Sequence, residues 1–235
     1  MAATKISIVI PVYNEEQSIE AVLKEVSAVK LDGFEKEIIV SDDGSTDTTP
    51  EMITRFLQEN PEANIISYVA PINMGKGAAV RHGLAKATGD IIIIQDADLE
   101  LSPSEYVHLL KPIVEGQSKV VYGSRFAGKQ NKVSFRTRFG NWFLTWLTNI
   151  LFRGKLTDME TAYKVFRREV LDDIRLRCVR FDFEPEITAK LLRAGHKIVE
   201  VPIRYNPRTE EEGKKISWMD GIDAVYTLLR CRFLE

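Results

Sequence analysis

Short apolar runs alternate with amphipathic stretches through the first half of the chain. Residues 6–12 are almost uniformly apolar, the pattern of a strand buried on both faces. Residues 15–28 carry Ile19, Val22, Leu23 and Val26 at helical spacing and predict a helix. The same alternation predicts strands over 37–41, 65–69 and 90–95, the last with four consecutive isoleucines, and helices over 47–60 and 77–87. Strands that are apolar throughout and separated by helices imply an α/β fold: a mostly parallel central sheet with helices on both faces.

The second half is less regular. It predicts helices over 103–114, 138–152, 184–194 and 218–233, and strands over 119–122, 163–166 and 198–205. Polar, Gly-containing or charged stretches at 128–134 and 208–215 read as loops. There is no internal repeat, low-complexity tract or linker, and 235 residues suit one domain spanning 1–235.

Hydrophobic residues at 44% and charged residues at 28% exclude a disordered or fibrous chain. Two cysteines, Cys178 and Cys231, are too few for a disulfide framework or a four-cysteine zinc site, and suit a reducing compartment. No signal core is visible, and no apolar run approaches the ~20 residues that span a bilayer. The expectation is a cytoplasmic protein, soluble or seated at the cytoplasmic face of a membrane. The net charge of −2 conceals an acidic first part, −10 over residues 1–118, and a basic second part, +8 over 119–235. The acidic first part and the lack of any recognition motif argue against a nucleic-acid partner.

Ligands of open parallel sheets bind beyond the carboxyl ends of the strands. Those positions read Pro11-Val12-Tyr13-Asn14-Glu15, Asp42-Asp43-Gly44-Ser45, Asn73-Met74-Gly75-Lys76-Gly77 and Gln95-Asp96-Ala97-Asp98-Leu99-Glu100. Alternate residues of an extended chain point the same way, so Asp96, Asp98 and Glu100 are candidates to converge on a hard divalent cation. A solvated acidic turn is the plain alternative. The glycines of 73–77 either bring backbone N–H groups to a ligand or only form a tight turn. No Gly-x-Gly-x-x-Gly follows the first strand and no Gly-Lys-Ser/Thr loop occurs, which argues against a dinucleotide oxidoreductase or a P-loop NTPase.

Together these segments resemble family 2 glycosyltransferases of the Rossmann-like GT-A fold. Val121-Tyr122-Gly123-Ser124-Arg125-Phe126, residues 157–166 and Glu184-Pro185-Glu186-Ile187-Thr188 are similar to the branch holding dolichyl-phosphate mannose synthases and polyprenyl-phosphate glucosyltransferases. The resemblance implies a nucleotide-sugar and metal-binding part, 1–125, and an acceptor part, 126–235. It implies that Pro11, Tyr13 and Glu15 line the nucleoside pocket with Asp42 and Asp43, and that Lys76 and Asp96 belong to the nucleotide site. Asp96, Asp98 and Glu100 would hold Mg2+ or Mn2+; the family often has Gln where Glu100 stands. Ser124, Arg125 and Arg136 or Arg138 would meet an acceptor phosphate. Arg208 would lie near the donor diphosphate, and Lys214 belongs to a stretch that replaces the family's Gly-x-Ser-Lys.

The implied reaction is metal-dependent, inverting transfer of a hexose from UDP-glucose or GDP-mannose to a polyprenyl phosphate such as dolichyl or undecaprenyl phosphate. UDP-glucose is favoured because the later segments resemble bacterial members. A phosphate acceptor is already anionic at neutral pH and needs no strong base. The alternative, transfer to a glycan or lipid hydroxyl, requires one, and Asp158 or Glu160 is the candidate; loop hydrogen bonding is the plainer reading of Glu160. A nucleotidyltransferase and a non-catalytic sugar-nucleotide module are further alternatives. The helix over 138–152 puts Phe139, Trp142, Phe143, Trp146, Leu147, Ile150 and Leu151 on one face, flanked by Arg136, Arg138, Arg153 and Lys155. That is the composition of an interfacial helix, with ordinary core packing as the alternative. Peripheral membrane contact or a membrane partner protein follows as an expectation.

Overall fold

The period-two placement of strand side chains sorts the apolar runs onto the two faces of one sheet. A computed structural model describes residues 4–128, 135–207 and 218–235, without the side chains of 135, 136 and 218. In β1 (Thr4–Val12), Ile6, Ile8, Ile10 and Val12 join one buried cluster and Val9 the other. In β4 (Ile91–Ile94), Ile91 and Ile93 divide from Ile92 and Ile94 in the same way.

Seven strands form one sheet in the order β3-β2-β1-β4-β6-β5-β7. β1 lies between β2 (Phe34–Asp42) and β4 and is parallel to both, with Ile8 opposite Ile38 and Ile93. β3 (Ile65–Val69) extends this parallel set. β6 (Lys164–Arg167) runs antiparallel between β4 and β5 (Val120–Ser124), and β7 (Ile198–Pro202) is parallel to β5. Helices α1 (Ile19–Ala28), α2 (Thr49–Glu59) and α4 (Tyr106–Val114) cover one face. Helices α3 (Lys76–Lys86) and α6 (Phe183–Arg193) cover the other. A third cluster joins α6 to α5 (Phe135–Phe152) and α7 (Trp218–Phe233) through Leu144, Phe152, Ala189, Ala224, Leu228 and Cys231. The expected mostly parallel sheet, covered on both faces, is present.

Ser7 and Glu37, polar residues inside the apolar strands β1 and β2, pair with each other. Buried Glu37 accepts from the Thr88 N–H at 2.8 Å and from Ser7 Oγ, and Lys5 Nζ adds a charge at 2.5 Å. Burial pushes its carboxyl up, but these partners outweigh burial and hold it down at about 2.

Some boundaries differ from the expectation. Helix α1 starts at Ile19, not at residue 15; the backbone N–H groups of Asn14 and Glu15 bond instead to Ser45 of the next loop and to Thr49 at the start of α2. Strand β7 stops at Pro202, where its partner β5 ends at Ser124. The loops expected over 128–134 and 208–215 lie, apart from Gly128, outside the described residues.

Candidate active site

The carboxyl ends of β1 and β2 are zipped together. The Asp43 N–H donates to the Val12 carbonyl (2.8 Å), and Asn14, at φ 49°, donates to Ser45 Oγ (2.8 Å). Thr46 returns a bond to Asn14 Oδ1 (2.8 Å), and the Glu15 N–H donates to Thr49 Oγ1 (2.9 Å). Pro11 is buried at this seam, with Tyr13 and Glu15 half-buried beside it. Asp42 and Asp43 are both buried. Asp43 accepts the N–H groups of Met74 (3.1 Å) and Gly75 (2.5 Å), so its carboxylate holds the 73–75 loop. Asp42 accepts the Ser45 N–H (2.8 Å) through Oδ1, while its Oδ2 is buried without a hydrogen-bond partner. Burial raises the Asp42 pKa. Gly44, at φ 74°, has no room for a side chain: a Cβ would lie 2.8 Å from the Ile72 carbonyl carbon.

The glycines of 73–77 serve a close backbone approach, which decides between the two readings left open by the sequence. A Cβ on Gly75 (φ 111°) would lie 2.6 Å from the Val179 carbonyl oxygen. The first N–H groups of α3, from Gly77 and Ala78, donate to the carbonyls of Arg180 (2.8 Å) and Val179 (2.9 Å). These are the groups an anion would need, and the chain itself occupies them.

After β4 the backbone makes a tight turn with Leu99 at φ 60°, an unfavourable conformation for a branched side chain. Buried Gln95 pins the turn. Its Nε2 donates to the carbonyls of Asp96 (2.9 Å) and Leu101 (3.3 Å), and its Oε1 accepts the hydroxyls of Tyr106 (2.6 Å) and Tyr163 (2.7 Å). Lys76 Nζ lies 2.8 and 3.0 Å from the two Asp96 oxygens and 2.8 Å from Glu184 Oε1. Burial opposes the Lys76 charge, but the two carboxylates prevail and raise its pKa. Asp98 Oδ1 accepts the Glu100 N–H (3.1 Å), and the Glu100 carboxylate hydrogen-bonds Tyr205.

Asp96, Asp98 and Glu100 offer the all-oxygen set that a hard divalent cation takes. They are less gathered than strand alternation predicts. Among the described residues, the one trio of potential ligands with its atoms within 4.8 Å is Glu186, Cys231 and Glu235. There Lys190 Nζ already sits 2.8 Å from Glu186 and 2.7 Å from Glu235. Leu99, at φ 60°, breaks the extended alternation between Asp98 and Glu100, and Asp96 is paired with Lys76.

At the end of β5, Arg125 and Asp158 face each other. Arg125 donates from Nε and Nη2 to the two Asp158 oxygens, each at 2.8 Å, and its backbone N–H adds a third bond at 2.9 Å. The guanidinium stands 5.3 Å from the Tyr205 ring centre and 5.6 Å from that of Phe126. Asp158, a candidate base of the hydroxyl-acceptor alternative, is fully buried, and both its carboxylate oxygens accept from Arg125. Arg125, expected to grip a phosphate with its fork, grips Asp158 with that edge. Ser124 is likewise buried; its Oγ meets Thr157 Oγ1 (2.8 Å) and accepts the N–H groups of Phe126 and Ala127. Glu200 braces the loop by accepting the N–H groups of Thr157 (2.8 Å) and Asp158 (2.9 Å). Glu160 Oε1 is shut from solvent without a hydrogen-bond partner, and burial together with nearby Glu184 pushes its pKa up. Lys164 Nζ is fully buried over the Tyr122 ring (4.5 Å), donates to the carbonyls of Met159 and Thr161, and has its pKa lowered by burial.

Arg138 is exposed on α5. The Arg136 side chain, Arg208 and Lys214 lie outside the described residues. The aromatic face of α5 is on the surface and not in the core: Phe139, Trp142, Phe143, Trp146 and Ile150 are exposed, and their rings stack along the helix. Leu147 and Leu151 pack partly against the third cluster instead. Helix α7 exposes a second apolar face of Met219, Ile222, Tyr226, Leu229 and Phe233. No helix of the described residues is long and apolar enough to cross a membrane.

Sequence reasoning assigned no role to Gln95, Lys164 or Glu200. The signal for Gln95 was its place directly before the acidic turn. A polar residue closing an all-isoleucine strand requires a buried partner, and two tyrosines supply it.

The profile described as Glycosyl transferase family 2 matches residues 7–175. The undecaprenyl-phosphate 4-deoxy-4-formamido-L-arabinose transferase of Photorhabdus laumondii is 32% identical over 229 residues, covering 97% of this chain and 67% of the relative. That of Salmonella paratyphi B is 33% identical over 233 residues, with the same coverage of 97% and 67%. The solved glucosyl-3-phosphoglycerate synthase of Mycobacterium tuberculosis, in complex with Mn2+, uridine diphosphate and glucosyl-3-phosphoglycerate, superposes with a TM-score of 0.74 at 24% identity, over 98% of this chain and 81% of that one. The architecture is that of the GT-A glycosyltransferases. With a family profile over most of its length and curated relatives matched over nearly all of this chain and two thirds of their own, the chain is a glycosyltransferase and belongs to glycosyl transferase family 2.

Proposed function

We propose that this protein transfers a hexose, with inversion, from a nucleoside-diphosphate sugar to polyprenyl phosphate. The observation that carries this reading is Arg125, held by Asp158 at the end of β5, near an exposed aromatic helix that carries Arg138 and is followed by Arg153 and Lys155. The names of the curated relatives point the same way, since they act on undecaprenyl phosphate. UDP-glucose and GDP-mannose are the candidate donors.

The residues then divide the work as one domain with two parts. In 1–125, Tyr13 and Glu15 line the nucleoside pocket with Asp42 and Asp43 beneath them, and Asp43 shapes the pocket through the 73–75 loop. Asp96, Asp98 and Glu100 would hold Mg2+ or Mn2+, which when bound neutralises the charge growing on the leaving diphosphate. Lys76, fixed between Asp96 and Glu184, keeps a second positive charge at the same place. In 126–235, Asp158 holds Arg125 rigid, so its charge faces an incoming anion without reorganisation. The acceptor phosphate is already anionic and needs no base, which agrees with the engagement of Asp158 by Arg125. That engagement disfavours the hydroxyl-acceptor alternative.

The apolar faces of α5 and α7 are proposed to rest on the cytoplasmic face of a membrane. There Arg138, Arg153 and Lys155 each add ~1 kcal/mol of attraction to anionic lipid. Two free buried cysteines fit that compartment.

The test is a donor screen with purified protein, undecaprenyl or dolichyl phosphate and Mg2+ or Mn2+. UDP-glucose, GDP-mannose and a nucleotide-linked 4-deoxy-4-formamido-L-arabinose are offered, and released nucleoside diphosphate and glycolipid are measured. Transfer to glycan or lipid hydroxyls with none to any polyprenyl phosphate would overturn the reading.

A further inference from the structure

The two edges of the sheet are built differently. Strand β7 is guarded in the ways that keep an edge from pairing: Lys197 flanks it, its Glu200 is bonded to the 157–158 loop, and Pro202 ends it. Strand β3, at the opposite edge, has no such device. Among the described residues it pairs with β2 alone. Residues 63–75 carry no charge, and Pro71 falls after the strand. Ile66, Ser67, Tyr68 and Val69 are all exposed, as are Ile72 and Met74 beyond them. A neutral apolar edge of this kind is a template for a further strand.

The ladder to β2 fixes which backbone groups the edge offers. The Asn64 carbonyl accepts the Ile38 N–H (3.0 Å), and the Ala70 N–H donates to the Asp42 carbonyl (2.8 Å). Residues 64, 66, 68 and 70 therefore turn their backbone groups toward β2. The alternate residues, Ile65, Ser67 and Val69, direct their N–H and C=O groups outward. The side chains divide in step with them: Ile65 packs on the cluster under α2, and Tyr68 stands edge-on to His82 of α3 at 5.5 Å.

About Ser67 the strand reads alike in both directions, two apolar residues on either side of one small polar one. We propose that β3 pairs antiparallel with β3 of a second copy of this chain, with the two-fold axis at Ser67. In that register Ile65 faces Val69 of the other copy and Ser67 faces Ser67, and every outward N–H and C=O group finds a partner. Ile66 faces Tyr68 across the axis, an aliphatic–aromatic pair that stabilises a sheet. No charge is brought against its like within the strands. Helices α5 and α7 belong to the cluster that meets Ile198 of β7, at the far edge, so their exposed faces stay free in the dimer.

Sedimentation equilibrium of the full chain across a protein concentration series tests the proposal, with no ligand added. A mass rising from one chain to two is expected. Ser67→Lys and Ser67→Glu each set like charges face to face at the axis, and each should remain a monomer where the native chain is a dimer. Mixed in equal amounts, the two variants should form a heterodimer, read by native mass spectrometry, and added salt should weaken it. Ser67 is exposed, so the fold is retained in both variants, and circular dichroism checks this. A native chain that stays monomeric at every concentration, whether or not it captures an extended peptide, would overturn the proposal. So would variants that dimerise as the native chain does, or that stay monomeric on mixing. A dimer that survives both Ser67 variants but is lost in Tyr226→Lys would place the interface on α7 instead.

Discussion

Arg125 and Asp158 meet edge to edge, two parallel N–H···O bonds of 2.8 Å closed by a third from the Arg125 backbone, with the carboxylate wholly out of solvent. Removing one partner of such a pair strands the other charge, which costs about 3–5 kcal/mol. We expect Asp158→Ala to lower stability on that scale in chemical denaturation and to reduce transfer as a consequence. Arg125→Lys should cost both stability and transfer, because an ammonium cannot make the fork. A base facing the acceptor would behave differently: Asp158→Asn would stop transfer with the unfolding midpoint unchanged.

Asp98 lies at the strand end and not in a hydrophobic cluster. Asp98→Ala is therefore expected to abolish turnover while circular dichroism and the unfolding midpoint stay near native. Chelation should silence the native enzyme, and added Mg2+ or Mn2+ should restore it. Full activity in EDTA would remove the metal from the mechanism.

Gln95 satisfies two buried tyrosine hydroxyls and holds two carbonyls of the strained acidic turn. Gln95→Leu leaves those groups unpaired, at a cost of roughly 1–3 kcal/mol for each group left unsatisfied. Because Gln95 acts through the turn, we also expect the metal concentration for half-maximal activity to rise more than kcat falls. A drop in stability with unchanged metal dependence would mark Gln95 as structural only.

Glu37 gives a pH dependence with a definite sign. Its folded-state pKa of about 2 lies below the ordinary carboxylate value, because Lys5, Ser7 and Thr88 stabilise the anion against burial. Its contribution is therefore fully present above pH ~4.5 and is lost as pH falls toward ~2. Glu37→Gln should lose roughly 2–3 kcal/mol at pH 7 and converge with the native protein near pH 2, as read by urea unfolding across that range. Parallel stability curves for the two proteins would contradict the assignment.

Seven strands and seven helices were legible from residue periodicity, because an apolar run and a 3.6-residue stripe are local properties that survive in any fold able to bury them. The carboxylate clusters were legible as a site because they follow predicted strands, and the parallel-sheet rule places those ends on one edge. Partnership among charges was not legible. Lys76 could have faced solvent or a phosphate; the packing of α6 onto α3 sets Glu184 beside it and commits it to Asp96. Likewise no local signal told that the loop after α5 would deliver Asp158 to Arg125, or that segment 178–180 would close over the glycines of 73–77. The aromatic stripe on α5 fitted core and surface equally well, because burial depends on what lies opposite a helix and not on the helix. By itself the sequence determined the elements, the sheet and the edge where chemistry sits. Tertiary structure decided which groups at that edge are engaged by one another, because the energy of a charge or ring is set by its neighbours in space, and those come from segments far apart in the chain.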